Sequence, residues 1–319
     1  MSEVKEFLKH VRDKVESVMP EIYFYWKDVF HLFPKYRKSK IKMVHSHFKK
    51  PLFFDDDVTV DLLIQFRMSL SRYGDGEFGW MAGETLNSFQ DYSDEFSRDL
   101  RKSFIENNDK LLIGIPKGLF YKRGLNLFSR MYWETIKAGS YKQMQNLVDF
   151  DRRYVNASIT RPYIDYRSRR FSTQAFVNIR RLWNQRDIVI VEGEKSKLGM
   201  GNDLFDNARS IKRIICPAVN AYSKKNEIKK TIIELVDKDS LVLAALGPTA
   251  SILAADMSKL GYQFVDIGHI DVEYMWYLMH ATNRVSIPGK YVNESKNRDC
   301  VGIYDKDKFY LESIIKKIQ

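Results

Sequence analysis

The chain has 319 residues, 44% of them apolar and 29% charged, with only 16 Gly and 8 Pro. These values exclude a disordered, collagen-like or low-complexity chain. Two cysteines, Cys216 and Cys300, and no C-x-x-C exclude a disulfide framework, a zinc ribbon and a thioredoxin-like motif. Lys plus Arg exceeds Asp plus Glu by 52 to 41, a net charge of +11, and residues 1–50 hold +6 of it through twelve basic and six acidic side chains. Such a chain suits polyanions, anionic membrane surfaces or phosphorylated ligands, and charge alone does not choose among them.

Residues 1–14 are charged throughout and lack the apolar stretch of a signal peptide. The longest uncharged run, 240–255, is too short to span a bilayer and is broken by Gly247-Pro248. The expectation is a cytoplasmic protein. Val4, Phe7, Leu8, Val11, Val15 and Val18 recur at helical spacing and predict a short amphipathic helix. An aromatic stretch (22–26) and a basic run (35–40) follow. Four of the six histidines, His10, His31, His45 and His47, lie in this region, but the spacing is weak for a metal site. Residues 1–55 therefore read as a basic, partly helical extension and 56–319 as the main domain.

From about residue 58 the pattern is α/β. Short apolar runs at 70–73, 111–115, 188–191, 213–216, 241–246 and 264–267 read as strands buried on both faces. Amphipathic stretches at 92–106, 174–183 and 227–236 separate them, which implies βαβ units and a mostly parallel sheet flanked by helices. In such sheets ligands bind beyond the carboxyl ends of the strands, and the residues that follow these runs are polar.

Four segments there can carry chemistry. Arg72-Tyr73-Gly74-Asp75-Gly76-Glu77-Phe78 sets two carboxylates one glycine apart, a hard-oxygen pair suited to Mg²⁺ or Mn²⁺, or an ordinary acidic turn. Residues 192–203 form a long loop with Gly193, Gly199 and Gly201, in which Lys195 or Asn202 can meet phosphate or sugar; a mobile surface connection is the plainer reading. Neither G-x-x-x-x-G-K-[ST] nor a G-x-G-x-x-G after a strand occurs. Leu246-Gly247-Pro248-Thr249 opens a helix, where Thr249 can cap the helix or help hold an anion. Asp266, His269, Asp271 and Glu273 crowd the last expected strand end and offer a general base. Trp80, Tyr132, Trp133, Tyr163 and Tyr166 are stacking candidates or core. Arg152-Arg153 and the basic stretch 161–170 can cover a diphosphate or simply face solvent.

Taken together and in order, these segments resemble the bacterial GT-D-fold glycosyltransferases, a family first catalogued as a domain of unknown function. The resemblance rests on Ser71-Arg72-Tyr73-Gly74-Asp75-Gly76-Glu77-Phe78, on Ile190-Val191-Glu192-Gly193-Glu194 with Gly199-x-Gly201-Asn202-Asp203-Leu204-Phe205, on Ala245-Leu246-Gly247-Pro248-Thr249-Ala250, and on residues 266–274. It covers about residues 60–280.

The resemblance implies a Rossmann-like domain that binds a nucleotide sugar, usually UDP-linked. It places the family's D-x-E motif, which binds Mn²⁺ or Mg²⁺, on Asp75 and Glu77. Arg72, Gly74, Gly76, Glu194, Gly201, Asn202, Gly247 and Thr249 are the expected donor-binding residues. Glu273 is the expected base, with Asp271 as competitor and His269 as a third candidate. The implied reaction moves a hexose, glucose foremost, from a UDP-sugar to a hydroxyl of a glycan or glycoprotein acceptor, with inversion, in surface glycoprotein or polysaccharide synthesis. Partners to test are other glycosyltransferases, a second copy of the chain and, through residues 1–50, the inner face of a membrane; nucleic acid is not expected. The rival readings are a nucleotide-dependent oxidoreductase on a similar sheet and a non-enzymatic polyanion- or membrane-binding module.

Overall fold

Runs of Leu, Ile and Val that are apolar on both faces can be satisfied only inside a covered sheet. The computed structural model describes residues 6, 9–11, 13–15, 19–43, 49–86, 89–295 and 302–319. It contains β1 (Leu52–Phe53), β2 (Ser69–Arg72), β3 (Leu111–Ile115), β4 (Arg153–Asn156), β5 (Asp187–Gly193), β6 (Ser210–Cys216), β7 (Leu241–Ala245), β8 (Gln263–Asp266) and β9 (Ile314–Lys317). They form one sheet in the order β1-β4-β3-β2-β8-β7-β5-β6-β9. Every strand pairing among the described residues is parallel. The expected α/β class and mostly parallel sheet are therefore present.

The helices are α1 (Pro20–Met43), α2 (Asp56–Gln65), α3 (Asp75–Met81), α4 (Asp94–Phe104), α5 (Lys117–Phe120), α6 (Leu127–Gln145), α7 (Arg169–Arg180), α8 (Lys225–Leu235), α9 (Pro248–Lys259), α10 (Ile270–Leu278) and α11 (Lys308–Ser313). Strand side chains alternate between two cores. Ile113, Val189, Val191, Val242 and Phe264 face α3, α4, α6, α8 and α9. Leu70, Leu112, Ile188, Ile190, Leu243 and Val265 face α2, α7 and α10. At β2 and β8, which touch through Leu70 and Val265, the chain leaves the sheet on opposite faces, into α3 and α10. That divergence opens a crevice at the carboxyl ends, the place where open α/β sheets bind ligands.

Six strands lie where the sequence predicts them. The three unpredicted ones, β1, β4 and β9, are short strands at or next to the sheet edges. β4 opens on Arg153, part of the stretch read as a basic patch, and β9 is half lysine. Edge strands need only one buried face and are kept polar against further pairing. β1 lies within residues 1–55: Leu52 and Phe53 pair with Arg153 and Tyr154, so the sheet begins before residue 56.

Within residues 1–55, α1 packs along α6. Val29 is buried there, the Tyr25 hydroxyl accepts from the Phe128 N–H at 3.4 Å, and Lys40 pairs with Glu134 at 3.4 Å. In the preceding predicted helix, Val11 and Val15 are helical and exposed; Val4, Phe7, Leu8 and Val18 lie outside the described residues, as do His45, His47 and Cys300. No helix among the described residues is long and apolar enough to cross a membrane.

Candidate active site

The crevice has a volume of about 690 Å³ and is lined from seven strand ends, among them Arg72 of β2, Pro116 after β3, Gly193 of β5, Ala245 of β7 and Asp266 of β8. Of the thirteen expected site residues, Arg72, Gly74, Asp75, Glu77, Gly247, His269 and Asp271 line it.

The D-x-E pair sits in the first turn of α3. Gly74 precedes the helix, and its N–H donates to Glu77 Oε2 at 2.8 Å. The Tyr132 hydroxyl, from α6, donates to Asp75 Oδ2 at 2.6 Å. Burial pushes the Glu77 carboxyl up to about 7 against the stabilising Gly74 N–H, with the Asp75 and Asp266 charges adding to the rise.

Arg72 is held by the fold itself. Its Nε donates to the Asp266 backbone oxygen at 2.8 Å and Nη2 to Asp266 Oδ1 at 2.6 Å, while Nη1 reaches the Ala157 oxygen at 3.0 Å and Thr160 Oγ1 at 2.7 Å. Four donor contacts on protein acceptors make Arg72 a brace between β2, β8 and the turn after β4 rather than an open phosphate fork.

The other wall is an alternation of charges. Arg161 grips Glu294 through Nη1 at 2.7 Å and Nη2 at 2.9 Å, the bidentate geometry of a strong pair. Arg284 bridges Glu294 (Nε to Oε2, 2.8 Å) and Asp165 (Nη2 to Oδ1, 2.9 Å). Burial disfavours the Glu294 charge, but Arg161, His269 and Arg284 overcome it and hold the carboxyl well below the usual range. His269 lies beside this wall, its Nε2 4.0 Å from Glu294 Oε1. Burial, then the Arg161 charge, pull its pKa down to about 4 despite Glu294. His269 is thus a neutral imidazole facing the crevice at neutral pH.

Six expected residues do not line the crevice. Glu273 is fully buried; its Oε2 accepts from the Tyr163 and Ile164 N–H groups, both at 3.0 Å, and Oε1 lies 3.5 Å from Arg161 Nε. Its position argues against the expected role as base and makes it an anchor for the loop that carries Arg161 and Asp165. Glu194 is exposed and meets the sheet only through its backbone N–H. Asn202 donates to Asp271 Oδ1 at 2.8 Å and accepts from the Leu204 N–H, so it shapes its own loop. At Gly201 (φ +72°) a Cβ would lie 2.1 Å from the Tyr304 hydroxyl; the glycine makes room for Tyr304, not for a ligand. Gly76 faces Trp80. The N-cap of α9 is Gly247, not Thr249, whose buried hydroxyl has no hydrogen-bond partner among the described residues. Gly247 does face the crevice, where a Cβ would lie 2.2 Å from Phe89 Cε2.

Asp271 lines the crevice, yet both its oxygens are engaged. Oδ1 accepts from the Gly199 N–H and Asn202 Nδ2, both at 2.8 Å, and Oδ2 from buried Lys290. Lys290, Arg284 and Glu294 carried no sequence signal, because they follow no strand and reach the site only through the tertiary path of residues 284–295. Arg161 and Asp165 lay in the noted basic stretch, and Tyr132 among the noted aromatics.

Burial of Glu273 yields a direct expectation. Burial pushes its carboxyl up to about 7, against the opposing Arg161 charge. The group favours folding below its unfolded value and loses that contribution as pH rises through 7. Glu273→Gln removes this slope, so from pH 5 to 8 the wild type should lose roughly 1–3 kcal/mol relative to the variant in denaturant titrations. Turnover of Glu273→Gln should stay within about tenfold of wild type, whereas loss of a general base costs roughly a hundredfold or more.

The sequence comparisons agree with this architecture. The family model for the glycosyltransferase GT-D fold matches residues 70–295. The chain is 37% identical over 265 residues to the probable glycosyl transferase Gly of Streptococcus gordonii, covering 82% of this chain and 38% of that protein. It is 34% identical over 269 residues to the glycosyltransferase GlyD of Streptococcus pneumoniae serotype 4, covering 82% and 32%. The chain thus spans about a third of the length of the curated relatives it matches. Among solved structures, a domain of unknown function 1792 described as having a distinct glycosyltransferase fold superposes with a TM-score of 0.80 at 31% identity, over 90% of this chain and 100% of that one. A new glycosyltransferase from Streptococcus sanguinis of the same domain type superposes with a TM-score of 0.79 at 34% identity, over 85% and 100%. With most of its sheet, its crevice and its acidic first motif inside the matched region, the chain belongs to the GT-D-fold glycosyltransferase family.

Proposed function

We propose that the chain is a metal-dependent hexosyltransferase that moves glucose from UDP-glucose to a hydroxyl of a glycan acceptor, as a step in surface glycoprotein or polysaccharide synthesis. The observation that carries this reading is the Asp75–Glu77 pair at the switch-point crevice, facing a wall of paired arginines and carboxylates.

The donor set fits Mn²⁺ or Mg²⁺. Both side chains present hard oxygens, and Tyr132 and the Gly74 N–H fix their orientation. No group of three or more potential ligands occurs among the described residues, so a cation here would be held by these two carboxylates and would need further oxygen ligands from substrate or water. Such an ion, when bound, neutralises the departing diphosphate.

This chain's own residues do the rest. Arg161 and Arg284, held by Glu294 and Asp165, form a preorganised, charge-paired wall whose fixed N–H dipoles stand beside the leaving group. The end near Phe89 and Gly247 offers an aromatic edge for the nucleotide base. His269, neutral and facing the crevice, takes the acceptor proton; Asp271 has both oxygens engaged, and Glu273 is fully buried outside the crevice lining. One base on the acceptor side makes the reaction inverting.

The test is UDP release from a panel of UDP-sugars, with and without Mn²⁺. Manganese-dependent release from UDP-glucose, rising with a glycan acceptor, is the expected result; no UDP binding by calorimetry and no release from any donor would overturn the reading. A second expectation follows from Glu77. With its carboxyl raised to about 7, it is protonated at pH 5.5 and must lose that proton to hold a cation. Mn²⁺ should therefore raise Tm more at pH 7.5 than at pH 5.5. Equal shifts at both pH values would remove Glu77 from the cation site.

A further inference from the structure

Helix α1 carries two apolar stripes, and the fold covers only one. Tyr25, Val29, Leu32, Tyr36 and Met43 recur every three or four residues up to Tyr36, and all are buried or half-buried on the side toward α6. Beside them, Trp26, Phe30, Phe33 and Ile41 are 45%, 70%, 51% and 67% exposed. At about 100° per residue these four span an arc of roughly 80°. Lys27, Lys35, Lys38 and Lys42, all exposed, lie on the arc beyond it, and exposed Arg37 falls within it. Across its 24 residues the helix has six Lys or Arg against Glu21 and Asp28, a net charge of +4.

We propose that this face of α1 lies in the surface of an anionic lipid bilayer, with Trp26, Phe30, Phe33 and Ile41 at the headgroup–acyl boundary and the lysines over lipid phosphates. An aromatic stripe bordered by lysines is the pattern of a helix that lies in a membrane interface, and tryptophan favours that depth. The helix is too polar to cross the bilayer. Charge decides the occupant. A second copy would bring the same basic surface against itself, whereas an anionic leaflet attracts each basic side chain.

The placement has a consequence for the crevice. α1 packs along α6, and Phe128, Ser129, Tyr132 and Trp133 of α6 line the crevice. The Tyr25 hydroxyl meets the Phe128 N–H, so the docking helix touches the first turn of that wall. Docking therefore holds the site beside the membrane plane, within reach of a membrane-bound acceptor or enzyme. The docking itself does not depend on the transferase reading.

Trp26 provides the probe. The chain has five tryptophans, and the other four, Trp80, Trp133, Trp183 and Trp276, are buried. The full chain is mixed with phosphatidylcholine vesicles with and without phosphatidylglycerol, and cosedimentation and tryptophan emission are followed. The expected result is binding only to the anionic vesicles, weakened by salt, with a blue shift of emission. The triple variant Trp26→Ser/Phe30→Ser/Phe33→Ser should bind roughly tenfold or more weakly while releasing UDP in solution as the wild type does. If its circular dichroism departs from wild type, Lys27→Glu/Lys38→Glu/Lys42→Glu, all exposed, takes its place with the same expected loss. The proposal is overturned by absence of vesicle binding, by equal binding to neutral vesicles, or by binding that the substitutions leave unchanged. It is also overturned if sedimentation velocity shows a dimer that the triple variant dissociates, since a second copy then covers the face. Failure of UDP release by the wild type would count against the transferase reading alone.

Discussion

Lys290→Met is expected to destabilise the protein by about 3–5 kcal/mol, the cost of removing one partner from a buried ion pair. Lys290 is fully buried and Asp271 nearly so, and the lysine donates to Asp271 Oδ2. Without it, Asp271 keeps the Gly199 N–H and Asn202 amide but loses its counter-charge. The damage should reach two loops at once, because this pair ties residues 284–295 to the first turn of α10 and, through Asp271, to the turn at 199–202. Urea titration should show the loss as a lower midpoint, with Tm falling by roughly 6–12 °C. The double variant Asp271→Leu/Lys290→Met should be less destabilised than the sum of the singles, since no unpaired charge remains. Strict additivity would show that the two side chains act independently and that the geometry has been misread.

The second large effect concerns chemistry. Asp75→Asn keeps the shape of the side chain and an oxygen for the Tyr132 hydroxyl, but removes the negative charge. Metal-dependent UDP release should fall by roughly a hundredfold or more, about 3 kcal/mol of transition-state stabilisation, with unchanged circular dichroism. Tyr132→Phe, which removes only the orienting hydrogen bond, should cost about tenfold or less. If Asp75→Asn turns over within a few-fold of wild type at saturating Mn²⁺, the acidic motif is a helix-opening turn and the catalytic cation lies elsewhere.

Much of the architecture was legible in the residue pattern, because strands covered on both faces must be apolar at every position. That rule located β2, β3, β5, β6, β7 and β8. It failed for β1, β4 and β9, short strands that pair at or next to the sheet edges, β4 and β9 with basic residues among them. The acidic pair was equally legible: a Gly-Asp-Gly-Glu run after a buried strand keeps its geometry locally, as two side chains of one helical turn. Asp75, Glu77, Gly247 and His269 therefore sit in the crevice where the motifs put them.

Roles that depend on direction were decided only by the tertiary structure. Asp271 and Glu273 lie two residues apart on one short helix, so α10 turns them toward different neighbours: Asp271 to Lys290 and the 199–202 turn, Glu273 to the 163–164 backbone and Arg161. Nothing in the local sequence tells which oxygens will be consumed. Arg72 likewise reads as an open phosphate fork until Asp266, Ala157 and Thr160, distant in sequence, close around it. The wall of Arg161, Arg284 and Glu294 joins residues more than a hundred positions apart. Periodicity and turn chemistry are short-range and so determined the sheet, its strand ends and the acidic turn. The partners that spend or free a charged side chain arrive by long-range packing, and only the folded chain assigns them.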